Sequence, residues 1–252
     1  MLIRYATIPP NSHSGDANGE SAMKGTITSF FTKCTIFNRK RTVCAVVTCA
    51  IVFFATVTFL PLPCAARTWH IRPDGTGDAP TIRAGIDSAS SGDVVELADG
   101  TFTGSGNRDL NFCGKQLVLR SESGDPTVCI IDCQGSSTEN HRGFYFDHEQ
   151  GPDSIIEGIT VTNGYGGWAG GAYCPVGAPT FSNCRFIANQ GTEGGGICTH
   201  TSNLITDCYF EGNSAASGGA ISVCCDYGAN ATVIRCTFVA NSAVDYGGGF
   251  RC

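Results

Sequence analysis

The chain has 252 residues, among them 33 glycines and 15 cysteines, with 15% charged residues and a formal net charge of −6. That length suits one sizeable domain, and so little charge with so much glycine argues against long solvated helices. Residues 1–66 hold six basic side chains (Arg4, Lys24, Lys33, Arg39, Lys40 and Arg41) against Asp16 and Glu20, leaving ten basic and twenty acidic residues beyond them. So acidic a body repels nucleic acid and anionic lipid, and neither is expected as a partner.

The basic cluster Arg39–Arg41 runs directly into the apolar stretch Val43–Leu60, followed by small residues at Cys64 and Ala66. A basic flank, an apolar run and small residues predict a secretory signal cleaved after Ala66. The run is also long enough to span a bilayer, so an uncleaved signal anchor is the alternative. Pro63 argues against lipoprotein processing at Cys64, and Met23 is an alternative start. Residues 1–66 are therefore read as leader and signal peptide or anchor, and 67–252 as an exported body.

That body opens with TWHIRPDGTGDAPTIRAGIDSASSGDVVELADGTF (68–102). Ile82, Ile86 and Ala89 recur at helical spacing behind Pro80, which predicts a short amphipathic helix over Thr81–Ala89. A solenoid needs such a cap, because its first rung otherwise exposes an apolar face and unpaired strand edges. Asp74 and Asp78 flank a glycine turn, and no bidentate Glu follows at calcium-loop spacing, so they are read as turn residues. The order strand, turn, helix, VVEL and DGTF resembles the start of pectin-lyase-like proteins. QLVLRS, VCIID, RGFYFDH and SIIEGITVTNG then alternate well enough to supply further rungs.

The C-terminal region repeats: CRFIANQGTEGGGIC (184–198), CYFEGNSAASGGAIS (208–222) and CTFVANSAVDYGGGF (236–250), with a looser copy at 155–174. Gly-Gly pairs begin at 170, 194, 218 and 247, a spacing of 24, 24 and 29 residues that signals a solenoid. Cys184 with Phe186, Cys208 with Phe210, and Cys236 with Phe238 sit two apart, so each pair shares one strand face, and Gly-Gly would cripple a helix interior. Stacking one strand per repeat predicts an inward column of Phe186, Phe210 and Phe238, and a cysteine column of Cys184, Cys208 and Cys236. Asn189, Asn213 and Asn241 are expected at a left-handed bend, each amide bonding its counterpart one rung away, with the glycine pairs at positive-φ corners. The face taken by Ile197 and Ile221 stays open.

The paired signatures FxxN and GGAI, here Phe210–Asn213 and Gly218–Ile221, resemble the repeats of chlamydial polymorphic outer-membrane proteins and related right-handed β-helix proteins. The other copies depart slightly, as GGGI at Gly194–Ile197 and GGGF at Gly247–Phe250. The fold expected is an all-β, right-handed parallel β-helix over 67–252 with a short N-terminal capping helix. Seven or eight coils would stack to roughly 35 Å. Because the sequence stops just past a glycine corner, the helix is read as C-terminally incomplete.

Eleven cysteines follow Ala66. Cys129–Cys133 and the adjacent Cys224–Cys225 come nearest to metal spacing, but neither has a second Cys or His pair beside it in sequence, so no metal site is expected. Buried thiols with one or two bridges are expected instead, since in-register parallel strands orient sulfurs poorly for disulfides.

Relatives implied by the superfamily resemblance include pectate lyases, polygalacturonases and pectin methylesterases. Lyases of this fold need clustered acids for Ca²⁺ and a basic residue to take a proton; glycosidases need paired carboxylates. Glu193, Asp207, Glu211, Asp226 and Asp245 fall at different repeat positions and form no such set. Asp207 and Arg235 are expected as a surface ion pair. Asp147 and His148 are the only catalytic candidates, and His200 is read as a turn residue. The signal segment and the repeat resemblance together imply an exported, secreted or cell-envelope protein that is non-catalytic and serves adhesion or binding, with no cofactor. Its partner would be a surface polysaccharide or a host or cell-surface protein, and it would meet membrane only through the signal anchor or a region past Cys252. The alternatives are a Ca²⁺-using polysaccharide lyase and a passive stalk.

Overall fold

The computed structural model describes residues 65–224 and 228–252. The leader, the signal segment and Cys64 lie outside the described residues, as do Cys225 and Asp226. No helix among the described residues is long and apolar enough to cross a membrane.

The described residues form a parallel β-solenoid. Its strands are mostly three or four residues long and stack into three main sheets of seven, six and five strands. The first sheet runs in order through Thr68–Ile71, Val94–Leu97, Val118–Ser121, Ile155–Glu157, Thr180–Ser182, Leu204–Thr206 and Thr232–Ile234, which sets about seven turns. The strands are short because a coil must corner three times within about 24 residues, and alternation then sends one or two side chains per strand inward.

The register shows which. Val95, Leu119, Ile156, Phe181 and Ile205 stack as the buried column of the first sheet. In the second sheet Phe102, Ile131, Val161, Phe186, Phe210 and Phe238 align. Phe210 lies flat between Phe186 and Phe238, with centroids 5.1 and 5.2 Å away and planes within 10°. Ile197 and Ile221 pair in register on the third sheet and point inward, in a column with Phe144 and Ala172.

The asparagine column sits at the corner after the second sheet, but its geometry differs from the expected left-handed bend. The left-handed residue is the one before: Ala188 (φ 52°), Gly212 (φ 63°) and Ala240 (φ 50°). This frees each Asn to turn its side chain into the stack. Asn213 Oδ1 accepts from the Asn189 backbone N–H (3.0 Å) and side-chain amide (3.1 Å), while its own amide donates to Phe186 O and Asn241 Oδ1, both at 2.8 Å. In the looser copy Thr162 pairs with Ile187, so Asn163 falls opposite Ala188 and takes the left-handed position (φ 54°) instead of a ladder position.

The glycine pairs are also only partly corners. Gly218 and Gly247 have positive φ, whereas Gly170 and Gly194 do not. The residue after the pair matters for a different reason: a Cβ on Gly196 would stand 2.7 Å from Ala220 O and 3.0 Å from Phe210 Cδ1. At Gly196 itself the neighbouring backbone and the Phe210 ring leave no room for a Cβ, whereas the equivalent place in the next coil is taken by the buried Ala220.

Each thiol of the cysteine column bonds to carbonyls, Cys184 to Ser182 O (3.3 Å) and Cys208 to Thr206 O (3.2 Å), for example. The ten described cysteines are all free, so the expected bridges are not present among them.

One short helix, Ile82–Ser88, begins after Thr81, whose side chain accepts from the Ala84 N–H (3.2 Å). It buries Ile82, Gly85 and Ile86 against Thr68–Ile71 and Val94–Leu97. Lys115 Nζ closes its far end on the carbonyls of Ile86 and Asp87, both at 2.8 Å.

Candidate functional site

Alternation on the third sheet, Phe144–Tyr145, Ala172–Cys174, Ile197–Thr199, Ile221–Val223 and Phe250–Arg251, directs a second column outward: Tyr145, Tyr173, Cys198, Ser222 and Arg251. Tyr145 stacks on Tyr173 at 5.7 Å. Trp168, delivered by the glycine-rich turn before Ala172, stacks on Tyr173 at 5.8 Å and 10°, and stays 45% exposed. The Arg142 guanidinium lies 5.4 Å from the Tyr145 ring and 5.6 Å from Tyr173. Asp109 fixes that segment by accepting from the Arg142 backbone N–H (2.9 Å), and its other oxygen lies 2.8 Å from His141 Nδ1.

Asp109, Arg142, Tyr145, Trp168 and Tyr173 together line an open cleft of about 380 Å³. Burial pushes the Tyr173 hydroxyl up to about 12, so it stays protonated and acts as a neutral donor or acceptor. The cleft offers flat aromatic area, one guanidinium and one carboxylate. That combination suits binding a polar ring compound.

Past Tyr173 the same face changes character. His200 packs edge-on against both Trp168 (5.7 Å) and Tyr173 (5.5 Å). Cys198 is buried beside it, and its sulfur is 3.9 Å from that of Cys224. The Cys198 thiol bonded to Cys224 draws the latter down to about 7, while Cys198 is pushed up. Burial lowers His200. Further along, Arg251 is ion-paired to Glu193.

A family model described as the Chlamydia polymorphic membrane protein (Chlamydia_PMP) repeat matches residues 207–223. The matched segment is most of one coil, carrying Cys208, Phe210, Asn213 and the glycines before Ile221. No curated protein and no solved structure matches the chain. The chain is thus a β-helix repeat protein with one coil similar to that repeat.

The other residues singled out from sequence lie elsewhere. Asp147 and His148 are in contact, Oδ1 to Nδ1 at 2.6 Å, and Asn111 also donates to Asp147 Oδ1 at 2.6 Å. Burial pushes Asp147 up, but the Asn111 amide and His148 outweigh it and hold the carboxyl below its usual value. Neither residue lines the aromatic cleft. Asp207 and Arg235 form a two-pronged pair at 2.6 and 2.7 Å on a left-handed corner, and that pairing lowers the Asp207 carboxyl. Asp74 accepts from Thr76, and Asp78 from the His70 N–H, as turn residues do. Sequence reading missed Asp109, Arg142, Tyr145, Trp168 and Tyr173. An exposed tryptophan inside a glycine run, NGYGGWAGG, was the signal available.

Proposed function

We propose that the chain is an exported cell-envelope protein whose solenoid binds surface polysaccharide through the outer face of its third sheet, without catalysing a reaction. The observation that carries this reading is Trp168, half exposed at the open end of an aromatic stack with Arg142 and Asp109 beside it. Sugar rings present flat C–H faces to aromatic rings and hydroxyls to charged groups, and this cleft offers both partners. The basic and apolar leader, together with the match to a membrane-protein repeat, supports a cell-envelope location.

The same reading takes the solenoid as right-handed and pectin-lyase-like, since parallel crossover connections are right-handed in about 98% of cases. It also takes Ile82–Ser88 as the cap of the coil's first rungs, on which the helix packs.

Tryptophan fluorescence tests the binding. The chain has two tryptophans, Trp69 and Trp168, so a glycan panel spanning neutral and uronic polymers should shift emission in the wild type but not in Trp168→Ala. Arg142→Ala should weaken the same binding, by roughly tenfold if one charge-assisted contact of about 1.5 kcal/mol is lost. Release of unsaturated uronate from pectin, with or without Ca²⁺, would overturn the non-catalytic reading. Glycan binding that survives Trp168→Ala unchanged would move the site elsewhere.

A further inference from the structure

Beyond the aromatic stack, the third sheet gathers three metal-binding side chains that no sequence motif joins. Cys198 and His200 are two residues apart at the end of one strand, so alternation sends both outward. The next coil pairs Thr199 with Val223 and donates the Cys224 N–H to Thr199 O at 2.9 Å, which brings Cys224 alongside His200. The ligand atoms of Cys198, His200 and Cys224 all lie within 4.8 Å of one another. We propose that these three residues form a mononuclear site for a soft divalent cation, with zinc as the ion it fits best.

The spacing supports this. Tetrahedral zinc with Zn–S of about 2.3 Å places two sulfurs about 3.8 Å apart. The two sulfurs here are 3.9 Å apart. A disulfide would need them to close to about 2.05 Å. An ion would therefore enter with almost no movement of either cysteine. Two thiolates balance a divalent cation, so a neutral imidazole completes an uncharged unit that suits a partly buried location. Trp168 and Tyr173 hold the imidazole by its flanks. Three protein ligands leave a fourth position for water or another donor, the arrangement of an open site.

Cobalt titration of the full chain, reduced and stripped of metal with a chelator, tests the site. One equivalent of Co²⁺ should give sulfur-to-cobalt charge transfer and intense tetrahedral d–d bands that Zn²⁺ abolishes. Cys198→Ser and Cys224→Ser should each lower affinity by more than the roughly 10–100-fold that loss of a merely orienting residue costs. Cys225→Ser and Cys113→Ser should leave the titration unchanged. Should a variant fail to fold, thiol alkylation of the wild type read by mass spectrometry answers the same question. Zn²⁺ should then protect Cys224, which is partly exposed, while Cys113 and Cys252, both exposed, react; Cys198 is buried and stays unmodified in either case. A spectrum without thiolate bands, a site lost in Cys225→Ser but kept in Cys198→Ser, or equal alkylation of Cys224 with and without Zn²⁺ would each overturn the proposal.

Discussion

Asn213→Ala gives the most direct test of the ladder, because the amide sits fully buried with every polar atom engaged. Its side chain makes four hydrogen bonds: two accepted from Asn189, one donated to Phe186 O and one donated to Asn241 Oδ1. At about 0.5–1.5 kcal/mol net for each, the bonds total roughly 2–6 kcal/mol. The upper half of that range is expected, since truncation leaves the buried Asn189 N–H without its partner. Urea unfolding followed by circular dichroism measures the loss, provided the m value stays constant between variants. Asn213→Asp separates the two halves of the role: at neutral pH a carboxylate still accepts from Asn189 but cannot donate, and it meets Asn241 Oδ1 as a second acceptor. It should therefore be no better tolerated than alanine. A loss below about 1 kcal/mol for Asn213→Ala would mean that water replaces the amide and that the column is not a structural ladder.

Phe210→Ala removes the middle ring of three stacked ones and should cost about 3–5 kcal/mol in the same assay; an unchanged urea midpoint would contradict its inward position. Gly212→Ala isolates backbone strain, because a Cβ there meets nothing within 4 Å while φ is 63°. It should cost about 1 kcal/mol, and little of it should be recovered by any neighbouring substitution. Asp93 is held below its ordinary 3.8 chiefly by the N–H groups of Arg67 and Ser90. A carboxyl depressed in the folded state adds stability that is present above its unfolded pKa and lost as pH falls through the folded value. Asp93→Asn should therefore destabilise the protein at pH 7 and narrow the difference in urea midpoint between pH 7 and pH 3; an unaltered difference would remove Asp93 from the acid response.

The columns that face inward were readable because the core demands the same residue at each turn: Phe186, Phe210 and Phe238 recur with an Asn three places later. The left-handed position was misjudged for a physical reason. Asn is the usual occupant of such bends, yet here it is wanted for its amide, and the strain passes to Ala188 and Ala240. The outer column of the third sheet was not readable, since nothing forces identity upon it: Tyr145, Tyr173, Cys198, Ser222 and Arg251 occupy equivalent places. Asp109 and Arg142 are 33 residues apart and meet through a coil longer than the C-terminal repeat, so the repeat spacing does not align them. Cys198, His200 and Cys224 escaped a search for local Cys-x-x-Cys spacing because their separation is that of a coil. Aligning outward positions by rung, as was done for inward ones, would have brought the three together.

The asparagine ladder also has a direction. Each amide accepts from a backbone N–H of the preceding coil and donates to one of its carbonyls, so peeling a coil from the C-terminal side leaves backbone groups beneath it without side-chain partners, whereas peeling from the N-terminal side leaves the side-chain amide of the next coil without its backbone partners. Unravelling under tension should therefore be asymmetric, with each asparagine acting as a ratchet tooth between neighbouring coils. Pulling single molecules from either end would show it as two different force patterns from one sequence.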